Sequence, residues 1–86
     1  MKVENMTSSN GNSVPNQFEI YDDNARYFQS YNSMIVKQIG NDVFLDAKYW
    51  NYSKTTSKYR NQFLNETTKE TQTKIDNGTY KLTDLN

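Results

Sequence analysis

The sequence contains no cysteine and no histidine. Without cysteine there is neither a disulfide framework nor a thiolate metal site, so packing alone must hold the domain together. The chain also lacks the two side chains that most readily act as a nucleophile or general base near neutral pH. Its three glycines are scattered, so no glycine-rich phosphate loop can be drawn. We therefore expect a protein that is not an enzyme and uses no cofactor.

Long hydrophobic runs are also missing, and the opening MKVENMTSSN does not have the apolar stretch of a signal peptide or membrane span. A length of 86 residues allows one small domain. The mean hydropathy of −1.03 is low, but the net charge is zero and seven Tyr, four Phe and one Trp are present, unlike the composition of disordered chains. These features predict a folded, cytoplasmic domain with a small core and no membrane contact.

Residues 1–16 cluster Ser, Asn, Gly and the single Pro with almost no apolar periodicity, which predicts a mobile N-terminal arm. From Gln17 to Asp46, short runs rich in aromatic and β-branched residues alternate in polarity and are separated by turn residues. The clearest hairpin is SMIVKQI-GND-VFLD, because Gly40 tolerates the positive φ of a tight turn. We predict a small antiparallel sheet of three or four strands over about residues 17–46.

Beyond the predicted sheet the hydrophobic period lengthens from two to about 3.6 residues, which is typical of helices. Ser53 is the predicted N-cap of a helix over about residues 54–64, and a Thr-x-x-Glu capping-box pattern opens a second helix over about residues 68–77. The ending TYKLTDLN returns to alternation and predicts an extended C-terminal segment. The pattern as a whole predicts an α+β fold, with residues 17–86 forming a single domain.

The stretch KYWNYSKTTSKYRNQF, from Lys48 to Phe63, carries four cations and five aromatic rings but no acid. Cations neutralise phosphates and exposed rings stack on unpaired bases, so one interpretation is a nucleic-acid surface. The other, which we favour, is a helix that buries an aromatic face with Tyr59 and Phe63 in the core and keeps its lysines and arginine on a solvated face. The candidate binding residues are Tyr49, Trp50, Tyr52, Lys54, Lys58 and Arg60.

Trp50 lies just before the first predicted helix, in a segment that is neither strand nor helix. It either closes one end of a small core or serves as an exposed anchor for a partner, and Tyr49 and Tyr52 present the same alternative. On the predicted second strand Phe28 is assigned to the core, whereas Tyr27 could face either way. One face of the sheet therefore carries aromatic area outward unless helices cover both faces.

Four aspartates, Asp22, Asp23, Asp42 and Asp46, could converge at one end of the sheet to hold Mg²⁺ or Ca²⁺. Their spacing fits no metal loop, because an EF-hand needs ligands at alternate positions, a central glycine and a terminal glutamate. We expect turn and surface roles for these residues and no metal site.

The segments WNYSKTTSKYRNQFLNETTKE and NGTYKLTDLN resemble a family of small proteins of unknown function encoded by bacteriophages and plasmids of low-GC Gram-positive bacteria. The resemblance covers about residues 27–86. It brings no catalytic residues, but it implies a mobile-element setting. Small accessory proteins from that setting often act by occupying a surface on host machinery, including nucleic-acid-guided defence complexes such as CRISPR effectors.

These observations predict a non-catalytic accessory protein that binds a host protein or nucleoprotein complex in the host cytoplasm, as an inhibitor of the anti-CRISPR type. The alternative is a nucleic-acid-binding regulator that uses residues 48–60, and its binding would weaken steeply with salt. Outward aromatic area on a small domain can also be covered by two-fold self-association, so a homodimer is a further alternative.

Overall fold

The computed structural model describes residues 1–86, which form one six-stranded β-sheet and two α-helices. The strands lie in the sheet in the order in which they occur in the chain, and both helices are inserted before the last strand. The α+β class is confirmed, although the sheet has six strands rather than three or four. In chain order the elements are β1 (Lys2–Thr7), β2 (Ser13–Asp22), β3 (Ala25–Ser30), β4 (Ser33–Ile39), β5 (Asp42–Asp46), α1 (Lys54–Leu64), α2 (Thr68–Asp76) and β6 (Tyr80–Thr83).

The sheet is mixed rather than antiparallel. Strands β1 to β5 pair antiparallel with their neighbours, whereas β6 pairs parallel with β5. A parallel neighbour requires a crossover connection, and α1 and α2 supply it. The C-terminal segment predicted to be extended is therefore a strand at the edge of the sheet.

The N-terminal residues differ most from the prediction. The predicted arm, residues 1–16, contains β1 and the beginning of β2, and the predicted domain start at Gln17 lies inside β2. As an edge strand, β1 buries a single side chain, Met6, so it needs no apolar alternation that the sequence could reveal. Backbone pairing with β2, rather than side-chain burial, brings β1 into the sheet.

Both helices begin where the sequence predicts, because their N-caps are encoded locally. The Ser53 hydroxyl accepts a hydrogen bond from the Thr56 amide at 3.1 Å. At α2 the Thr67 hydroxyl accepts from the Glu70 amide and the Glu70 carboxylate accepts from the Thr67 amide, both at 3.1 Å, which completes a capping box. The predicted hairpin also forms, since β4 pairs with β5 across a turn in which Gly40 has φ 59°.

The helices cover one face of the sheet. Phe63 of α1 stacks on Phe28 of β3 with ring centroids 5.8 Å apart. Arg26, on the same face of β3, lies 3.9 Å from the Phe63 ring centroid and donates to the Phe63 carbonyl at 3.2 Å. The predicted core positions Phe28, Tyr59 and Phe63 are confirmed. The buried apolar core consists of Met6, Phe28, Ile35, Val36, Val43, Leu45, Tyr59, Phe63 and Tyr80.

Candidate binding surfaces

The loop between β5 and α1, residues 47–53, contains three of the predicted binding residues and is fixed by Asp46. One carboxylate oxygen of Asp46 accepts from the amides of Lys48 at 3.1 Å and Tyr49 at 2.9 Å, and the other accepts from the amide of Leu85 at 2.8 Å. Burial disfavours the charged form, but these hydrogen bonds outweigh it and hold the pKa of Asp46 below its ordinary value. Asp46 therefore has a structural role.

Arg60 is 0% exposed and holds the same loop against both helices. Its guanidinium donates to the Trp50 carbonyl at 2.5 Å, to the Asn61 side-chain oxygen at 2.9 Å and to the Thr68 hydroxyl at 2.8 Å. The guanidinium carbon lies 5.0 Å from the centroid of the Trp50 ring. Burial lowers the pKa of Arg60, and the nearby Glu66 carboxylate opposes that shift. The arginine thus connects the loop, α1 and α2.

The prediction that Arg60 lies on a solvated face of the first helix is wrong. Thr56, Tyr59, Arg60 and Phe63 are the buried residues of α1, and they have the i, i+3, i+4, i+7 spacing of a single helical stripe. The sequence contained this signal, since Arg60 follows Thr56 by four residues. The charge of Arg60 favoured an exposed position, whereas its spacing from Thr56 placed it on the buried stripe.

The other five predicted binding residues divide into two groups. Tyr52, Lys54 and Lys58 are exposed, Tyr52 at 45%. Tyr49 and Trp50 are half-buried and pack against the core, and the Tyr49 ring meets Tyr52 edge to face with centroids 5.5 Å apart. Trp50 therefore contributes to core packing, in agreement with the interpretation that it closes one end of the core. A role for these residues in binding stays a prediction.

The face of the sheet opposite the helices carries a continuous row of side chains, one from each strand. We call these six residues the central row. Val3 is 56% exposed and Lys81 is exposed, whereas the four residues between them are half-buried. None of the six belongs to the buried core or packs against it. Cross-strand pairing brings them side by side in the order Val3, Ile20, Tyr27, Lys37, Phe44 and Lys81.

Apolar side chains flank the central row on both sides. Phe18 lies two residues before Ile20 on β2 and is half-buried, and Ile39 lies two residues after Lys37 on β4 and is 39% exposed. Side chains two residues apart on a strand point to the same face, so both belong to this surface. The central row together with Phe18 and Ile39 is called the open face below.

The charges of the open face are arranged unevenly. Lys37 and Lys81 lie within the central row, and Lys37 is 6.0 Å from the centroid of the Tyr27 ring. Both ion pairs in the structure involve other lysines, so neither Lys37 nor Lys81 is paired with a carboxylate. Asp22 and Asp42 follow the same alternation but lie at one end of the strands, beside the turns. The cations are thus central and the acids peripheral.

The sequence predicts outward aromatic area on one face of the sheet, but it does not reveal which residues form this surface. Phe18 and Ile20 share one face of β2, and Tyr27 alternates with the core residue Phe28. The row itself depends on the register between strands that are distant in the chain, such as Phe44 beside Lys81. That register follows from the crossover through the helices, which local alternation does not encode.

A second cluster of titratable groups surrounds Glu66, whose side chain is 3% exposed. Its carboxylate accepts from Lys74 Nζ at 3.1 Å, from the Thr71 hydroxyl at 2.8 Å and from the Tyr80 hydroxyl. The hydrogen bond to Glu66 raises the pKa of Lys74, while burial and then the Glu66 carboxylate raise the pKa of Tyr80. Both carboxylate oxygens have donors, so the cluster joins α2 to β6 and presents no free base.

The acidic residues do not form a metal cluster, because nowhere in residues 1–86 do three or more Asp or Glu side chains lie close enough to hold an ion. Of the four aspartates considered as ligands, Asp46 is engaged by backbone donors. Neither α1 nor α2 combines the length and the apolar character needed to cross a membrane.

The model of a family of unknown function (DUF8033) matches residues 1–78 of the chain. The match includes β1 and β2, which lie outside the resemblance over residues 27–86, and it ends before β6. No curated protein and no solved structure matches the chain. A family of unknown function is thereby confirmed, and its description carries no activity that could be transferred.

Proposed function

This chain belongs to the DUF8033 family, a family of unknown function, and from that premise we propose that it is a non-catalytic binding protein whose working surface is the open face. The observation that carries the proposal is the central row, four apolar or aromatic side chains and two lysines that lie opposite the helices and outside the core. Contiguous apolar area on the surface of a small domain is typical of interaction sites.

The partner in this proposal is a host protein or nucleoprotein complex in the cytoplasm of a host cell. The protein would occupy a surface of that complex and so inhibit it, in the manner of an anti-CRISPR inhibitor. Support for this setting comes from the resemblance of WNYSKTTSKYRNQFLNETTKE and NGTYKLTDLN to proteins of phages and plasmids. A small domain with a single uncovered face suits inhibition by occupation, since that mode requires no chemistry.

The internal carboxylates support a non-catalytic role. Asp46 is 1% exposed and Glu66 is enclosed by donors from three side chains, so both act as acceptors within the fold. A catalytic carboxylate must be able to approach a substrate atom to within hydrogen-bonding distance, in addition to having a suitable pKa. Neither Asp46 nor Glu66 can approach a substrate in this way, because both side chains are buried.

The exposed residues at the start of α1, Tyr52, Lys54 and Lys58, form a second and smaller candidate surface. The alternative function, a nucleic-acid-binding regulator that uses residues 48–60, depends on this surface together with Arg60 and Trp50. It has less support than the open face, because the Arg60 guanidinium is engaged by internal acceptors and the Trp50 ring packs on the core.

A pull-down from host lysate, with and without nuclease, tests the proposal. The bait is compared with two double variants that remove equal numbers of rings: Tyr27→Ala/Phe44→Ala on the open face and Tyr49→Ala/Tyr52→Ala in the loop. Circular dichroism establishes that each bait is folded. We expect a stoichiometric partner with the unsubstituted protein and with the loop variant, and its loss with the open-face variant. Loss with the loop variant alone, or no partner in any arm, rejects the proposal.

A further inference from the structure

We propose that the open face binds single-stranded nucleic acid, with Tyr27 and Phe44 stacking on unpaired bases and Lys37 and Lys81 contacting phosphates. This inference rests on the proposed function, and it deepens that function by naming the chemistry of the partner. Within a nucleoprotein complex the ligand would be an unpaired stretch of guide or target strand.

The order of side chains along the central row carries the inference. From β3 to β6 the row alternates between ring and cation: Tyr27, Lys37, Phe44, Lys81. Neighbouring strands are about 4.8 Å apart, so the two rings lie roughly 10 Å apart with a lysine between them and another beyond the second ring. An extended single strand presents bases and phosphates in alternation, and sheets that display aromatic rings are a recurring platform for such strands.

Charge complementarity supports the same ligand. Lys37 and Lys81 have no carboxylate partner, so both are free to neutralise phosphates. Asp22 and Asp42 lie at one end of the strands and would repel a backbone there. The strand is therefore expected to run across the sheet, along the central row, rather than along the β-strands.

The position of Lys37 also favours a nucleic acid as the ligand over a protein surface or a second copy of this chain. It occupies the fourth of six strands and lies near the middle of the open face. Lysine is depleted from the centre of protein interfaces, because an apolar partner would strip water from the ammonium group without replacing its hydrogen bonds. A polyanion provides the missing counter-charge at that position.

A duplex fits the open face less well than a single strand. Stacking on Tyr27 and Phe44 requires bases that are not already paired, and two cations neutralise too few phosphates for strong binding to a duplex. The protein as a whole has a net charge of zero, so affinity must come from stacking as well as from charge.

The test is fluorescence anisotropy with labelled oligothymidine and oligouridine of about 12 nucleotides, a length within the range that single-strand-binding domains cover. A blunt-ended duplex of equal length, formed from two complementary strands, is the control probe. With two phosphate contacts, log K should fall against log salt with a slope of about −1.4, at roughly 0.7 per contact. The duplex should bind at least about tenfold more weakly, since it offers no unpaired base. The DNA and RNA arms identify the preferred backbone.

Matched variants assign the site. Lys37→Ala/Lys81→Ala should bring the salt slope close to zero, whereas Lys54→Ala/Lys58→Ala, which removes the same charge from α1, should leave it unchanged. Phe44→Ala should weaken binding by about 5- to 150-fold through loss of one stacked base, and Tyr52→Ala should have no effect. If an aromatic variant does not fold, the salt slope of the Lys37→Ala/Lys81→Ala variant tests the site instead, because neither lysine belongs to the core.

Absence of binding to either oligonucleotide at low salt overturns the inference, as does equal binding of duplex and single strand. Loss of binding in the Lys54→Ala/Lys58→Ala variant instead of the open-face variant also overturns it. If the pull-down captures a nuclease-resistant partner through the open face while no oligonucleotide binds, the proposed function stands and this inference falls. If the pull-down captures no partner and no oligonucleotide binds, both the proposed function and this inference are rejected.

Discussion

The two faces of the sheet are built from the same strands and differ in almost every other respect. On the face covered by the helices, Phe28, Val36 and Leu45 are 0% exposed. Their chain neighbours Tyr27, Lys37 and Phe44 form the middle of the open face and are half-buried among themselves. Because successive side chains of a strand point to opposite faces, adjacent positions lie in the buried core on one side and on the open face on the other.

The covered face also contains polar groups, and several of those near α1 are hydrogen-bonded within the chain. The hydroxyls of Ser30 and Thr56 are 2.8 Å apart and buried, and the guanidinium of Arg60 is held by carbonyl, amide and hydroxyl oxygens. On the open face Lys37 and Lys81 have no such partner. Most polar side chains on the covered face near α1 thus have partners within the chain, although the buried amide of Gln17 does not. The two lysines of the open face are left for water or a ligand.

The largest expected effect comes from a matched pair of phenylalanines. Phe28→Ala removes a fully buried ring that stacks on Phe63, and we expect the free energy of unfolding to fall by about 3–5 kcal/mol. Phe44→Ala removes the same side chain from the open face and should cost about 1 kcal/mol or less. Chemical denaturation of both variants measures the contrast, and similar losses would show that the open face is part of a core.

A second pair compares two cations of α1. Arg60→Ala leaves the Trp50 carbonyl and the Thr68 hydroxyl without their donor, so we expect a loss of about 2–4 kcal/mol in unfolding free energy. Lys58→Ala removes an exposed side chain that takes part in neither ion pair, so it should change stability by no more than about 0.5 kcal/mol. A small effect of Arg60→Ala would mean that the arginine faces solvent, as first predicted from the sequence.

The third prediction concerns the carboxylate that fixes the loop before α1. Asp46 is buried and its pKa is nevertheless lowered by hydrogen bonds, so its contribution to stability is present above the unfolded-state pKa of about 4 and is lost as pH falls through the folded-state pKa. Asp46→Asn should reduce the unfolding free energy by about 1–3 kcal/mol at neutral pH, since a neutral amide is a weaker acceptor.

The pH dependence separates this role from a merely steric one. The difference between the Asp46→Asn variant and the unsubstituted protein should narrow as the pH falls below about 4 and should close below the lowered folded-state pKa of Asp46, where its carboxyl group is neutral like the amide. Asp42→Asn, at an exposed position, is the control and should change stability by about 0.5 kcal/mol or less at neutral pH. A difference for Asp46→Asn that stays constant from neutral to acidic pH would contradict the assigned hydrogen bonds.

Features encoded over a few residues could be predicted from the sequence. The caps at Ser53 and Thr67 and the Gly40 turn depend only on neighbouring residues, and each forms as predicted. The edge strand β1 could not be predicted from alternation, because its backbone pairs with β2 while its side chains stay largely in solvent. The parallel pairing of β5 and β6 likewise depends on how the helices return the chain to the sheet.

The candidate site was predictable only in part. Charge and aromatic content drew attention to residues 48–60, where the structure buries Arg60 and packs Trp50 on the core. Each of the six strands contributes one residue to the central row. No continuous segment of the sequence therefore contains more than one strand's share of this surface. Local composition thus pointed to residues 48–60 but placed Arg60 in solvent rather than in the interior, whereas the open face depends on the register between strands.

The most direct test of the open face uses the absence of cysteine from the chain. Phe44→Cys and Val36→Cys place one thiol on each face, and their rates of reaction with a thiol reagent are compared in native buffer over a range of protein concentrations. We expect Phe44→Cys to react at least about a hundredfold faster than Val36→Cys, which must wait for an opening of the fold. We also expect its rate to be independent of concentration and to slow when oligothymidine is added. Equal rates, or protection of Phe44→Cys that grows with protein concentration, would contradict an open face and would indicate that a second copy covers it.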